Sequence, residues 1–270
     1  MNSLPRLLWW FARGSPLLAL EPQGVPTKPL EGQVALVTGA GRRIGRAIAL
    51  RLAADGARVV VHYRNSAAEA AEVVAEITRT GGESRALPAD LGRIGEIDQL
   101  FADVECQFGG LDILVNNAAV FAPTPVGETT EAQWDLILDS NLKAQFFCAQ
   151  RAAPMLKRSA RGRVVNFASL GGLLAWSQYT AYCVSKAGVI MLTRCLARAL
   201  APEVTVNAIA PGTISFPDDA PEIAETFIRR APLARTGTAD DIVNAVVYII
   251  GAPFVTGQVL VVDGGRSIPS

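Results

Sequence analysis

The chain has 270 residues, half of them hydrophobic, with 25 basic side chains, 25 acidic side chains and a single histidine. This length suits one α/β domain with a large core. The balanced charge gives no overall field that attracts nucleic acid or an anionic membrane, so we expect a small-molecule partner. One histidine is too few for Ser-His-Asp, Cys-His or ordinary histidine-bound zinc chemistry, and no metal site is predicted.

Residues 1–31 combine a short apolar run with a Pro-rich segment. The run is too short to cross a bilayer, and the charged start and small-residue cleavage site of a secretory signal are missing. We expect a flexible leader on a cytoplasmic protein, with a surface or subunit contact as the alternative. The cysteines have no C-x-x-C spacing and lie in apolar text, which indicates reduced core thiols at Cys106, Cys148, Cys183 and Cys195.

Short β-branched apolar runs alternate with longer helical patterns from Gln33 onward, which is typical of βαβ units. The predicted fold class is α/β, a Rossmann-type doubly wound parallel sheet with helices on both faces, formed by one domain over residues 32–270. The predicted strands are 34–37, 58–61, 84–89, 112–115, 163–167, 205–208 and 258–262. The predicted helices are 43–54, 67–79, 94–108, 131–157 with a break near Asn141, 180–200 and 240–250.

A glycine-rich turn, Thr38-Gly39-Ala40-Gly41-Arg42-Arg43-Ile44-Gly45, joins the first predicted strand to the first helix. Glycines in this place let backbone N–H groups approach a pyrophosphate at the positive end of a helix. Three residues separate the last two glycines, so the spacing is not the ordinary G-x-G-x-x-G. The turn predicts a dinucleotide site that includes Gly39, Gly41, Arg43, Ile44 and Gly45.

The second predicted strand ends at His62-Tyr63-Arg64-Asn65-Ser66, where NAD-binding folds usually carry an acid for the ribose 2′-hydroxyl. No acid is present here. Arg64, Ser66 and Arg43 could instead surround a 2′-phosphate with charge-assisted hydrogen bonds, which favours NADP(H) over NAD(H). The alternative is that Arg64 is a solvated loop residue. The cofactor residues predicted at this strand end are His62, Arg64, Asn65 and Ser66.

Tyr182 and Lys186 stand four residues apart in the predicted helix 180–200, so both side chains point into one site. An ammonium beside a phenol stabilises the phenolate and moves the phenol pKa towards the neutral range. Such a pair can give a proton to a carbonyl oxygen and take it back. The same spacing is also typical of a packed ring beside a solvated amine, so the surrounding motifs decide between the two.

The motifs, in their order along the chain, resemble the short-chain dehydrogenase/reductase family over residues 33–267. The matching residues are the glycine turn, Ala89-Asp90-Leu91, Asn116-Asn117-Ala118-Ala119, Asn141, Ser169, Tyr182 with Lys186, Pro211-Gly212 and Val262-Asp263-Gly264-Gly265. The resemblance implies that Tyr182 is the catalytic acid/base and that Lys186 binds the nicotinamide ribose and lowers the tyrosine pKa. It also implies that Ser169 orients the carbonyl and that Asn141 holds a water linking Lys186 to solvent.

The resemblance further implies contacts of three chain segments with the cofactor, and a homotetramer with the long helices and the last strand at its interfaces. The alternatives are that Asn117 and Asn141 satisfy backbone groups, that Ser169 caps a helix and that Asp90 forms a turn. The implied cofactor contacts are Asp90 and Leu91 at the adenine, Asn117, Ala118 and Ala119 after the fourth strand, and Pro211, Gly212 and Ile214 at the nicotinamide.

Two details resemble the pteridine reductases: Arg43 replaces the usual middle glycine of the turn, and residues 116–125 carry the fourth-strand motif of that branch. There the aromatic at the position of Phe121 stacks the pterin on the nicotinamide. Ser169 departs from the branch, which commonly has an aspartate, and resembles ketone reducers such as 3-oxoacyl-[acyl-carrier-protein] reductases. We predict substrate contacts at Phe121, Ser169 and Tyr182, with Tyr179 either a substrate residue or unrelated to the chemistry.

The predicted activity is NADPH-dependent reduction of a 3-oxoacyl group or related ketone, with pteridine reduction as the alternative. A non-catalytic NADP(H)-binding sensor or scaffold is the alternative of another class, whereas an acyl hydrolase using Ser169 lacks the histidine it needs. Residues 213–233 are predicted to form a lid over the substrate, or else a mobile acidic surface loop.

Overall fold

The computed structural model describes residues 28–219 and 221–269, without the side chains of 221–224. Most of the predicted leader, residues 1–27, lies outside the described residues. Leu30 is buried in the core, and its N–H donates to the carbonyl of Asp55 at 2.8 Å. Packing therefore begins before residue 32, the predicted start of the domain, because Leu30 covers the end of the first helix.

The strands are β1 (Val34–Val37), β2 (Arg58–Tyr63), β3 (Ser84–Pro88), β4 (Ile113–Asn116), β5 (Gly162–Phe167), β6 (Val204–Pro211) and β7 (Val259–Val262). The helices are α1 (Arg43–Ala54), α2 (Ala67–Arg79), α3 (Ile94–Phe108), α4 (Glu131–Leu138), α5 (Ala144–Arg158), α6 (Thr180–Leu200), α7 (Pro221–Ile228) and α8 (Ala239–Gly251). A π-helical turn, Asp139–Lys143, joins α4 to α5, and a 3-10 turn, Leu170–Gly172, follows β5.

The seven strands form one sheet in the order β3-β2-β1-β4-β5-β6-β7, and every pair of neighbours is parallel. Successive side chains of a strand point to opposite faces. Accordingly, Ala35 and Val37 join the core cluster that includes α1, α2 and α8, whereas Val34 and Leu36 join the cluster that includes α3 and α5. Both faces are covered, so the predicted Rossmann-type α/β fold is confirmed.

Four helices, α1, α2, α3 and α6, have the predicted bounds, whereas several strand ends differ. The strand β2 runs on to Tyr63 and β6 to Pro211, because the residues at their carboxyl ends still pair with neighbouring strands. The predicted break near Asn141 is the π-helical turn. The 3-10 turn was not predicted, and α7 lies within residues 213–233, the segment predicted to be a lid or a mobile loop.

The interpretation of all cysteines as core thiols is wrong for two of them. All four are free, but only Cys148 is buried; Cys183 is half-buried, and Cys106 and Cys195 are exposed. The apolar text around Cys106 and Cys195 belongs to helices whose other faces meet the core, so apolar neighbours in sequence do not bury them. Among the described residues, no helix is long and apolar enough to cross a membrane.

Gly45 provides a test of how closely α1 approaches the glycine turn. A Cβ on Gly45 would lie 2.2 Å from the Gly39 carbonyl oxygen and 2.6 Å from Asn117 Nδ2. We expect Gly45→Ala to lower the free energy of unfolding by about 3 kcal/mol, since backbone cannot yield as a flexible side chain does. The control is Gly95→Ala in the first turn of α3, where a Cβ meets nothing within 4 Å; there we expect a change under about 1 kcal/mol. Equal urea midpoints for the two variants would contradict this packing.

Candidate active site

A cleft of about 670 Å³ opens at the carboxyl ends of the strands, and the residues after β1 and β4 lie in its wall. The strand order reverses between β1 and β4, and open parallel sheets bind ligands at such a point. Gly41, Asn141 and Tyr179 do not line this cleft. The predicted residues that do are Gly39, Arg43, Ile44, Gly45, His62, Arg64, Asn65, Ser66, Asp90, Leu91, Asn117, Ala118, Ala119, Phe121, Ser169, Tyr182, Lys186, Pro211, Gly212 and Ile214.

The N-terminus of α1 fits the phosphates of a dinucleotide. Its N-cap, Arg42, makes no side-chain capping bond, and the first turn contains no acidic residue. In contrast, α4 and α8 begin with capping boxes at Thr130 and Thr238. The first-turn N–H groups of α1 therefore have no side chain as acceptor, and an anion at this end would receive them together with the helix dipole.

Asn117 and Thr38 hold the glycine turn against the end of β4. Asn117 Nδ2 donates to the carbonyl oxygens of Thr38 at 2.8 Å and Gly39 at 3.3 Å. Thr38 Oγ1 in turn accepts from the N–H groups of Asn117 and Ala118, at 2.9 and 3.0 Å. The alternative considered for Asn117, that it satisfies backbone groups, is thus present, and these bonds fix the shape of the turn.

His62 supports the same turn rather than offering a free polar atom to a ligand. Its Nδ1 accepts from the Gly39 N–H at 3.1 Å, so Nε2 carries the proton and donates to the Ala89 carbonyl at 3.0 Å. Burial lowers the pKa of His62 to about 4. Both ring nitrogens are used by the main chain, so His62 positions Gly39, and its predicted contact with the cofactor stays a prediction.

Three arginines line the phosphate end of the cleft, and they do not face the same way. Arg42 lies 3.6 Å from Glu69 at the start of α2, and Arg64 lies 4.0 Å from Asp90. Arg43 points instead towards carboxylates of residues 213–233. The guanidinium groups of Arg43 and Arg64 therefore have different partners, and the predicted contact of Arg43, Arg64 and Ser66 with a 2′-phosphate stays a prediction. Arg42 was missed, although its place directly before the helix could have indicated it.

Tyr182 and Lys186 share one face of α6, as their spacing predicts, with Lys186 Nζ 5.7 Å from the centre of the Tyr182 ring. Lys186 is buried and donates to the Phe167 carbonyl at 2.7 Å. Burial lowers its pKa to about 7. Burial also raises the pKa of Tyr182, although a hydrogen bond with Ser169 opposes the rise. This direction is opposite to the expected lowering, because the effect of burial outweighs that of the hydrogen bond with Ser169.

Ser169 follows β5 and serves two neighbours. Its Oγ accepts from the Gly171 N–H at 3.1 Å, which caps the 3-10 turn, and its hydroxyl is the hydrogen-bond partner of Tyr182. A Cβ on Gly171 would lie 2.9 Å from the Trp176 ring and 3.2 Å from the Tyr182 ring. The glycine therefore lets both rings lie close to the turn that carries the serine.

Asn141 occupies the middle of the π-helical turn and is fully buried. Its Oδ1 accepts from the Val120 N–H at 2.7 Å, and its Nδ2 donates to the Val120 carbonyl at 2.9 Å and to Ser185 Oγ at 3.2 Å. π-Helical turns are frequent at functional sites. The side chain thus ties the loop after β4 to α6, and the water-holding role stays a prediction.

Aromatic rings surround Tyr182 at the cleft. Phe121 is 57% exposed, meets the Tyr182 ring edge-on at 4.7 Å and stacks on Tyr179 at 4.4 Å. Trp176, which was not predicted, lines the cleft with its ring parallel to that of Tyr182 at 6.2 Å. Trp176 could have been predicted from its position in sequence between Ser169 and Tyr182. Tyr179 supports Phe121 from outside the cleft lining.

The fold and this site define a nicotinamide-dinucleotide-dependent oxidoreductase. The family model described as enoyl-(acyl carrier protein) reductase matches residues 39–267. The 3-oxoacyl-[acyl-carrier-protein] reductase of Staphylococcus aureus is 42% identical over 237 residues, which cover 86% of this chain and 96% of that protein.

Two solved structures are similar over nearly their whole length. The angucycline C-6 ketoreductase LanV with bound NADP is 34% identical, with a TM-score of 0.84 over 90% of this chain and 98% of that one. A Serratia marcescens short-chain dehydrogenase/reductase variant is 34% identical, with a TM-score of 0.85 over 88% and 99%. The chain belongs to the short-chain dehydrogenase/reductase family.

The position of Arg42 generates a prediction on cofactor choice. If Arg42 binds the 2′-phosphate, Arg42→Gln removes a charge-assisted hydrogen bond and should raise the Kd for NADPH at least about tenfold, with little effect on NADH. The matched control is Arg46→Gln, on the exposed side of α1, where the guanidinium pairs with Glu76. Fluorescence titration with each nucleotide measures the effect. An equal rise in the Kd values for NADPH and NADH would show that Arg42 does not determine the choice between the two cofactors.

Proposed function

We propose that this protein is an NADPH-dependent reductase of a 3-oxoacyl group or related ketone, with Tyr182 as the proton donor. The observation that carries the proposal is the meeting of Ser169, Tyr182 and Lys186 in one cleft with the open N-terminus of α1. Phosphate-binding and proton-transfer groups thus share a space large enough for a dinucleotide and a small substrate. A binding-only sensor or scaffold would have no need for the proton-transfer groups.

The residues fit NADP(H), which when bound supplies the hydride for the carbonyl carbon. The first-turn N–H groups of α1 would hold the diphosphate, and Arg42 and Arg64 would hold the 2′-phosphate. The NADP bound to the angucycline ketoreductase supports this choice. The remaining cofactor contacts are proposed as predicted, with Asp90 and Leu91 at the adenine, and Pro211, Gly212 and Ile214 at the nicotinamide.

The proton chemistry follows from the geometry of three side chains. Ser169 donates a hydrogen bond to the carbonyl oxygen as negative charge develops there, and Tyr182 gives that oxygen its phenolic proton. The raised pKa of Tyr182 keeps the phenol protonated at neutral pH. The phenolate left behind is stabilised by the ammonium form of Lys186 on the same helix face. One hydride on carbon and one proton on oxygen convert the ketone to an alcohol.

Two observations bear on the substrate. Ser169 and the similarity to the staphylococcal 3-oxoacyl-[acyl-carrier-protein] reductase favour a ketone. Phe121, exposed beside Tyr182, favours the second candidate, a pteridine, because a flat heterocycle can stack on such a ring. We also propose that residues 213–233 act as a lid within one cofactor-binding domain over residues 32–270.

We further propose a cytoplasmic homotetramer. Exposed apolar side chains on long helices support the assembly: Phe146 on α5 is 40% exposed, and Val184 and Met191 on α6 are 45% and 56% exposed. Exposed apolar residues on neighbouring helices are typical of subunit contacts. The free cysteines support a reducing compartment.

A panel of candidate substrates tests the activity and the role of Tyr182 together. The loss of NADPH absorbance is followed with oxoacyl thioesters, diketones, biopterin and dihydrofolate. We expect the wild-type protein to reduce a ketone. We expect Tyr182→Phe to lose at least about a thousandfold in kcat, since it removes the proton donor, and to keep its Kd for NADPH within a few fold.

Tyr179→Phe is the matched control, because it removes a phenol from the same helix end without a lysine four residues on, and it should keep most of the rate. A Tyr182→Phe variant that turns over at the wild-type rate would exclude Tyr182 as the donor. Reduction of pterins alone would favour the second candidate. If no compound is reduced while NADPH binds, the sensor is favoured.

A further inference from the structure

Arg43, the first residue of α1, is clamped by the segment that follows β6. Its Nη1 lies 3.3 Å from Asp218 Oδ2, and its Nη2 pairs with Asp219 Oδ1. The guanidinium also lies over the Phe216 ring, 4.4 Å from the ring centre. Two carboxylates and an aromatic face therefore hold a single cation, an arrangement that suits the planar guanidinium.

The Asp219 carboxylate is fixed in place independently of Arg43. Its other oxygen, Oδ2, accepts from the Phe216 N–H at 2.8 Å, which closes the turn at residues 216–219. The hydrogen bond from Arg43 holds the pKa of Asp219 below its usual range. The carboxylate thus stays ionised and does not need to be ordered before it pairs with Arg43.

This clamp, formed by Phe216, Asp218 and Asp219 around Arg43, lies where a cofactor phosphate would bind. Arg43, Phe216 and Asp219 all line the cleft, and Arg43 begins the helix whose N-terminus has no side-chain cap. A diphosphate at that helix end comes within reach of the Arg43 side chain. It would also meet the negative charge of Asp219, so two anions would compete for one guanidinium.

We propose that Asp219, assisted by Asp218, competes with the diphosphate of the nicotinamide cofactor for Arg43 and thereby weakens cofactor binding. This inference rests on the proposed function. Arg42 and Arg64, the residues proposed for the 2′-phosphate, pair with other carboxylates. The competition for Arg43 therefore concerns the diphosphate, which NADPH and NADH share. Asp219 is therefore a determinant of cofactor affinity and not of the choice between the two cofactors.

The same clamp connects the cofactor to the substrate side. Phe227 in α7 and Ala231 after it pack with Leu170, and Trp176 lies against this cluster. The segment after β6 is thus held at one end by Arg43 and at the other by its packing against Leu170 and Trp176. A phosphate that takes Arg43 from Asp219 removes the first anchor, so cofactor binding alters how firmly this segment is held near Trp176.

Asp219→Asn tests the competition, because an asparagine oxygen can still accept from Phe216 while the charge is lost. Fluorescence titration of the full chain should show the Kd values for NADPH and NADH both lowered, by about three- to tenfold. The Asp218→Asn, Asp219→Asn double variant should show a larger decrease. Asp103→Asn is the control for net charge; its carboxylate accepts from Gln99 on α3, and its Kd values should equal those of the wild type. Unchanged Kd values in both the Asp219→Asn variant and the double variant would overturn the proposal.

Trypsin provides a readout that needs no cofactor. Arg229 and Arg230 are exposed just after α7, and the double variant should be cleaved there faster than the wild type or Asp103→Asn. Equal cleavage rates would overturn the clamp itself. If the wild type binds neither nucleotide, the proposed function fails, and the trypsin result still decides whether Asp218 and Asp219 hold the segment.

Discussion

The arrangement of the site depends on the buried side chain of Lys186 and on the hydrogen bond that it makes. Its bond to the Phe167 carbonyl joins α6 to the end of β5, and this places Tyr182 beside Ser169. Among the described residues, no carboxylate forms a salt bridge with Lys186, and burial lowers its pKa to about 7. A buried cation without a counter-charge is costly. Its burial therefore lowers the stability of the fold, and the proposed role of Lys186 in proton transfer would account for its place there.

The titrations of Lys186 and Tyr182 are coupled in a way that their spacing alone does not reveal. The lysine pKa is about 7, and the tyrosine pKa is raised above its ordinary value. As the pH rises, the ammonium therefore loses its proton before the phenol does and cannot help it ionise. Under the proposed mechanism, the negative charge of a bound cofactor would keep Lys186 charged, so that the pair would act as acid and base.

The sequence predicted the features that depend on local rules. The bounds of α1 and α6 follow from helical periodicity, and the common face of Tyr182 and Lys186 follows from the helix repeat. The cleft lies at the carboxyl ends of parallel strands, and the alternation of strands and helices predicts a parallel sheet. These rules use only neighbouring residues, so they hold without knowledge of the tertiary structure.

The features that were missed depend on contacts between distant segments. The direction of Arg43 is set by Asp219, far along the chain, and the role of His62 is set by the Gly39 and Ala89 main chain. Trp176 belongs to the site because Gly171 leaves room for its ring. Periodicity carries no information on such pairings, so it could not indicate that Arg43 pairs with Asp219 or that His62 bonds to the main chain.

The most direct test of the central claim is the pKa of Tyr182 in the NADP⁺ complex, measured by NMR on protein labelled at the tyrosine Cζ. Tyr182 is assigned by its loss in Tyr182→Phe, and the wild type is compared with Lys186→Met. With Nζ 5.7 Å from the ring centre, a charged Lys186 should lower the Tyr182 pKa by about one to two units relative to Lys186→Met. Equal pKa values in the two complexes would contradict the account.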